Sequence, residues 1–283
     1  MKSRSLRGAL WMMGAVLSFC AMAVSARELL RHLGTFEILF LRSLVMLAIV
    51  LAMATRAGFA AVRTRRLPMH ALRNLLHFAG QCAWVYSLGA LALATVFAIE
   101  FTMPVWTALL AALFLGERLS WPRLAQLALG LAGILIILRP GAGAFHPAAL
   151  VMILGSLFYA GTMICAKTLS ATDSPLAVLF WMAVIQMPVA LATALPGWTA
   201  PQAADLPWIA VIGAASFSAH YCIMRSMRLV DATLAVPIDF VRLPLIAAVG
   251  ALFYAEPFDP MVIAGAAVIF AGTYFSLSRE RGA

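Results

Sequence analysis

Apolar residues along this chain gather into long runs bounded by charge, proline or glycine, at roughly 8–26, 33–54, 72–92, 94–115, 122–139, 147–166, 174–194, 206–228, 232–254 and 260–278. A helix that crosses a membrane takes about 20 apolar residues, so each run is long enough to span one. The pattern predicts ten transmembrane helices and an all-α integral membrane fold. Ten such helices use about 200 of the 283 residues and leave about 80 for loops, ends and turns, too few for a separate globular domain.

Composition agrees, with 64% of residues hydrophobic and 11% charged, against about 45–50% and about 25% in soluble proteins. A net charge of +9 would invite a nucleic-acid partner in a soluble chain. In a membrane chain it marks cytoplasmic loops, and no nucleic-acid partner is implied. Of the 20 Lys and Arg residues, 15 fall in segments that are cytoplasmic if the N-terminus is, from Lys2, Arg4 and Arg7 to Arg279 and Arg281. Arg27, Arg31 and Arg139 fall in the opposite loops, and Arg42 and Arg242 lie within spans. This asymmetry predicts a multi-pass protein of a bacterial inner (plasma) membrane with both termini in the cytoplasm. Lys2, Arg4 and Arg7 before an apolar stretch ending Val24-Ser25-Ala26 also resemble a cleavable signal. Removing it leaves nine spans and spoils the charge alternation, so the stretch is read as the first span. Cys20, Cys82, Cys165 and Cys222 sit in apolar runs without CxxC spacing and read as small core residues.

Shifted against itself by 139 residues, the chain superposes Glu100-Phe101 on Asp239-Phe240, Ala108 on Ala247, Ala112-Leu113-Phe114 on Ala251-Leu252-Phe253, Glu117 on Glu256 and Gly133 on Gly272. Apolar helices align readily by chance; paired acids do not. The repeat divides the chain into residues 1–140 and 141–283, five spans each. An odd number of spans makes the second copy enter the membrane from the opposite side. Inverted repeats of this kind give two bundles that rock about a site near the midplane, as in secondary transporters.

These residues resemble the drug/metabolite transporter superfamily, in particular ten-helix members built from two EamA-type repeats. The resemblance covers nearly the whole chain: Ala94 through Pro104, Phe114-Leu115-Gly116-Glu117-Arg118 and Gly133, then Pro244, Glu256 and Gly272 in the second copy, Arg42 in the second span, and Gly155 through Lys167. In the first span the family's Trp-Gly pair is split, with Trp11 and Gly14 separated by two methionines. The chain is most similar to bacterial exporters of metabolites, including aromatic and other amino acids. Asp239-Phe240-Val241-Arg242-Leu243-Pro244 is similar to a run in relatives that move S-adenosylmethionine. The resemblance implies a central cavity of spans one to four and six to nine, with five and ten supporting it.

Charged residues inside spans cost at least about 2.5–3.5 kcal/mol on insertion scales, and pair or line a watery cavity. Four qualify: Arg42, Glu100, Asp239 and Arg242. Asp239 and Arg242, three apart, share a helix face about 11–15 Å deep, as a self-neutralising pair or as a pair that holds an amino and a carboxyl group. Arg42 and Glu100 lie at similar depths, roughly 9–11 Å, and form a candidate interhelical pair or gate. Pro104, Pro188, Pro237 and Pro244 interrupt spans and free carbonyls. His77, Gln81 and Trp84 form one helical stripe, and Phe217, His220, Tyr221 and Met224 another. The shift pairs Gln81 with His220, so both stripes are expected to face the pseudo-twofold axis. With Phe101, Trp106, Tyr159 and Trp181 they are candidates to line a cavity for a planar or apolar side chain, and either histidine is a candidate proton carrier. The alanine pairs 108/112 and 247/251 are expected to bring spans four and nine together. Glu117 and Glu256 at helix ends are expected to be solvated charges, with a gate or loop anchor as the other reading.

No HExxH, GxSxG or phosphate loop appears, so no enzyme is indicated, and neither a cofactor nor a metal. The expected function is export of amino acids or related small metabolites by alternating access, in contact with the lipid bilayer. S-adenosylmethionine transport, cationic drug efflux and a non-transporting scaffold are the alternatives. Oligomeric state has no signature in the sequence.

Overall fold

The computed structural model describes residues 2–116, 120–139 and 146–280. Its helices are α1 (Lys2–Leu29), α2 (Thr35–Ala57), α3 (Leu67–Ala90), α4 (Leu93–Glu100), α5 (Met103–Leu115), α6 (Trp121–Leu138), α7 (Pro147–Leu169), α8 (Pro175–Ala194), α9 (Leu206–Met227), α10 (Ala232–Phe240), α11 (Arg242–Tyr254) and α12 (Pro260–Glu280). The fold is all-α. Among the described residues nine segments are long and apolar enough to cross a membrane, α4 with α5 counting as one and α10 with α11 as another. At 24 residues α3 has the length, but its buried side carries His70, Arg73, Asn74, His77 and Gln81.

Local chemistry sets the helix starts. Pro68, Pro122, Pro147, Pro175 and Pro207 occupy first turns, where a missing N–H costs no helix bond. Ser174 caps α8 by accepting the Ala177 N–H at 3.0 Å. The same chemistry breaks two spans in mid-membrane. A proline cannot donate to the carbonyl four residues back and its ring crowds that carbonyl. Pro104 does this to Glu100, where α4 stops, and Pro244 to Phe240, where α10 stops. Pro188 and Pro237 lie inside α8 and α10, which continue past them.

Helix pairing maps onto itself when the two halves of the chain are exchanged. α1 packs on α9 as α7 packs on α3; α2 meets α8, and α6 meets α12. In lipid, where apolar surface gains little from burial against another helix, close approach at small residues does much of the work. A Cβ on Gly133 would stand 2.6 Å from the Gly265 carbonyl oxygen, and one on Gly265 would stand 2.6 Å from that of Gly133. Glycine is therefore required at the α6–α12 crossing. Leu113 and Phe114 on α5, and Leu252 and Phe253 on α11, are exposed, as side chains facing lipid would be.

Candidate functional site

The two helix breaks face each other across a buried charge cluster. Arg242, 3% exposed, opens α11 and donates to Glu100 at 3.1 Å and to Asp239 at 3.3 Å. The Trp84 indole N–H donates to the other Glu100 oxygen at 2.8 Å. The guanidinium carbon lies 4.4 Å from the ring centre of Phe19, 4.8 Å from Phe101 and 5.1 Å from Phe97, within cation–π range. Phe101 stacks on Phe240 with centroids 4.0 Å apart. Two carboxylates thus surround one guanidinium, leaving a formal charge of minus one. Oδ1 of Asp239 and Oε1 of Gln81, both buried, have no hydrogen-bond partner. A buried acceptor without a donor is costly, and both are ready for an N–H or a cation.

A second polar network lies alongside. Arg42, 2% exposed, donates to Gln186 Oε1 at 2.8 Å and to the Ser216 hydroxyl at 3.2 Å. Gln186 Nε2 lies 3.1 Å from the Asn74 carbonyl and 3.0 Å from His77 Nδ1. His77 Nε2 and His220 Nε2 are 3.2 Å apart, and His220 Nδ1 is 2.8 Å from the Ser216 carbonyl. Donor counting fixes the protons. The Ser216 carbonyl only accepts, so His220 carries its proton on Nδ1 and accepts at Nε2. His77 therefore donates from Nε2 and accepts the Gln186 amide at Nδ1. Both rings are neutral in this arrangement. Tyr159 packs on His77 at 5.6 Å and lies within electrostatic reach of both clusters.

The two ends of the bundle differ. At the end opposite the termini, Glu256 pairs with Arg27 and accepts the Leu93 N–H at 2.8 Å, tying the α11–α12 loop to α1 and to the start of α4. Arg139 pairs with Asp259, and Tyr254 donates to Glu28 at 2.8 Å. The cavity there, beside Ala92, Ala94 and Thr95, holds about 90 Å³. At the terminal end, the positions related to these by the 139-residue shift, Asp231, Thr233 and Leu234, line a cavity of about 790 Å³ with Arg4, Arg228 and Tyr274. Helix packing follows suit, since α4 packs on α11 and α12, while among the described residues α10 makes no comparable contact with α5 or α6.

The EamA-like transporter family matches residues 6–139 and again residues 146–278. The chain belongs to that family. An S-adenosylmethionine uptake transporter of Rickettsia prowazekii is 28% identical over 277 residues, covering 98% of this chain and 94% of the relative. A riboflavin transporter of Rhizobium johnstonii is 31% identical over 288 residues, covering 98% and 93%. A pseudopaline exporter of Pseudomonas aeruginosa is 25% identical, covering 94% of each. A solved crystal structure superposes with a TM-score of 0.68 at 18% identity, over 100% of this chain and 99% of that one; it establishes the fold. The molecule is a multi-pass membrane transporter of the EamA-like family, not an enzyme.

Within this EamA-like bundle the sequence expectations fall out unevenly. Glu100, Asp239, Arg242, Trp84 and Phe101 come together at the breaks. Asp239 and Arg242 do bond, but across the gap between α10 and α11 and not along one helix. Arg42 and Glu100 do not pair; each is held by other partners. The stripes on α3 and α9 do meet, but His77, not Gln81, reaches His220. Trp181 stands apart, its indole N–H donating to the Val62 carbonyl at 3.0 Å beside His70. Tyr221 stacks on Phe217 and meets Trp11, away from the charge cluster. The Trp106 indole donates to Thr102. Glu256 is a loop anchor and not a solvated charge, whereas Glu117 and Arg118 lie outside the described residues. Ala108 and Ala112 sit on α5, which packs on α7 and α6; the contact between spans four and nine is made by α4 and α11. All four cysteines are free thiols. Sequence reasoning missed Phe19, Phe97, Ser216 and Gln186. Only Gln186 left a signal, as the one amide in an otherwise apolar α8.

Proposed function

We propose that this transporter carries an amino-acid-type metabolite with a positive charge, and that S-adenosylmethionine is its substrate. The observation that carries this reading is the excess negative charge at the paired helix breaks. Glu100 and Asp239 share one guanidinium, and the Asp239 Oδ1 atom has no partner. An ammonium or sulfonium completes that set, and the Phe101–Phe240 stack offers a face to a planar ring. The curated relatives that cover nearly the whole chain include transporters of S-adenosylmethionine, whose chemistry combines a cation, an amino acid and a purine. Free amino acids are the second reading, favoured by the side-by-side carboxylate and guanidinium able to receive both ends of a zwitterion. Both termini would lie in the cytoplasm, by the excess of Lys and Arg in the loops at that end. Movement would alternate between the two ends, using the sequence-related halves as rocking bundles. Purified protein in liposomes tests this with labelled S-adenosylmethionine, methionine, phenylalanine and riboflavin. Saturable S-adenosylmethionine flux is expected, competed weakly by the free amino acids. Saturable riboflavin flux with none of S-adenosylmethionine overturns it.

A further inference from the structure

A cation buried in a membrane span is normally matched by an acid. Arg242, buried at the start of α11, has carboxylate partners in Glu100 and Asp239. Arg42 has none among the described residues: its three hydrogen-bond partners are the neutral Ser43, Gln186 and Ser216. Arg73, one turn before His77, also lacks an acid partner and is buried against Asn74. His77 and His220 add no charge here, their ring nitrogens being already committed as a neutral pair. The packing of α2, α3, α8 and α9 thus encloses positive charge with no acidic partner among the described residues.

We infer that Arg42 is the anion subsite of the transport path and takes the carboxylate of the substrate, while the Glu100–Asp239 pair takes the cation. This assignment rests on the substrate reading above. The two poles carry opposite formal charge, and α3 contributes to both, His77 bonding Gln186 beside Arg42 and Trp84 bonding Glu100. A charge-assisted bond to a guanidinium is stronger than a neutral one and is geometrically selective for carboxylate. Ser216, at 3.2 Å the weaker of the two long-range partners of Arg42, is the one a carboxylate would displace.

The test is equilibrium binding to purified protein of S-adenosylmethionine and of its decarboxylated analogue, which keeps the sulfonium and the amine. Wild-type protein is expected to prefer the carboxylated ligand by about tenfold or more. In Arg42→Gln the preference is expected to fall towards one. Because removal of a buried arginine can compromise folding, Gln186→Glu is the second variant. It gives the guanidinium a counter-charge of its own while removing the amide donor to the Asn74 carbonyl and His77 Nδ1, so with folding checked by a melting curve it too should abolish the preference. A wild-type preference retained in both variants overturns the Arg42 assignment alone, as does equal wild-type affinity for the two ligands. Wild-type protein that binds neither ligand overturns the substrate reading, and this assignment with it.

Discussion

Asp239 and Glu100 differ in how completely they are held, and their variants should differ accordingly. Glu100 accepts from Trp84 and Arg242, whereas Asp239 has one oxygen bonded and one without a partner. Asp239→Asn is expected to fold normally and to lose about tenfold or more in affinity for a cationic substrate, read by equilibrium binding beside a melting curve. Replacing Arg242 by Met strips the cation from two part-buried acids and is expected to destabilise the fold, seen as a lower Tm. A third residue acts outside the spans. Burial raises the Asp173 carboxyl, but hydrogen bonds from Thr64, Thr172 and His70 more than reverse this and hold it below the ordinary aspartate range. A depressed carboxyl contributes stability that is complete above its unfolded value, about 3.9, and that is lost as pH falls through the folded value. Asp173→Asn should therefore narrow the stability difference between neutral pH and pH 3, measured by thermal melting. The four charges within spans were legible in the sequence because charge in an apolar run is rare. Their partners were not, since spacing along one helix cannot say which other helix stands opposite. Arg42 turned to Gln186 and Ser216, not to Glu100.

The ten apolar runs reappear as helices with ends shifted by a few residues, and among the described residues nine segments are long and apolar enough to cross a membrane. The mid-membrane breaks were visible only as prolines. Hydropathy runs straight through residues 101 and 241, and no local pattern separates Pro104 and Pro244, which end a helix, from Pro188 and Pro237, which do not. Tertiary packing decides, since the breaks exist where Glu100 and Arg242 need to meet. Pro104→Ala restores a donor to the Glu100 carbonyl and favours a continuous helix. It is expected to lower flux severalfold, because Glu100 moves off Arg242. At the other structural extreme, Gly133→Leu drives a side chain into the Gly265 backbone at the α6–α12 crossing. Overpacking of a tight interface costs about 1–3 kcal/mol or more, and a fall in Tm is expected.

Across the whole molecule the repeat was the most informative sequence feature, because a 139-residue shift pairs acids and glycines that chance does not pair. It did not reveal that the two ends would stand in different states. The Arg27–Glu256 pair and the Leu93 N–H close one end around about 90 Å³, while the related positions at the terminal end line about 790 Å³. Glu256→Gln weakens that closure, and a cysteine introduced at Thr95 in this background is expected to react faster with a membrane-impermeant thiol reagent than in the Glu256 background. The central claim is that substrate charge is read by the carboxylates at the paired helix breaks. Its most direct measurement is the affinity ratio of S-adenosylmethionine to S-adenosylhomocysteine, which lacks the sulfonium charge, in wild-type protein and in Asp239→Asn. A wild-type ratio of about ten or more that falls towards one in the variant is expected; a ratio that is the same in both proteins rules out recognition of the charge by Asp239.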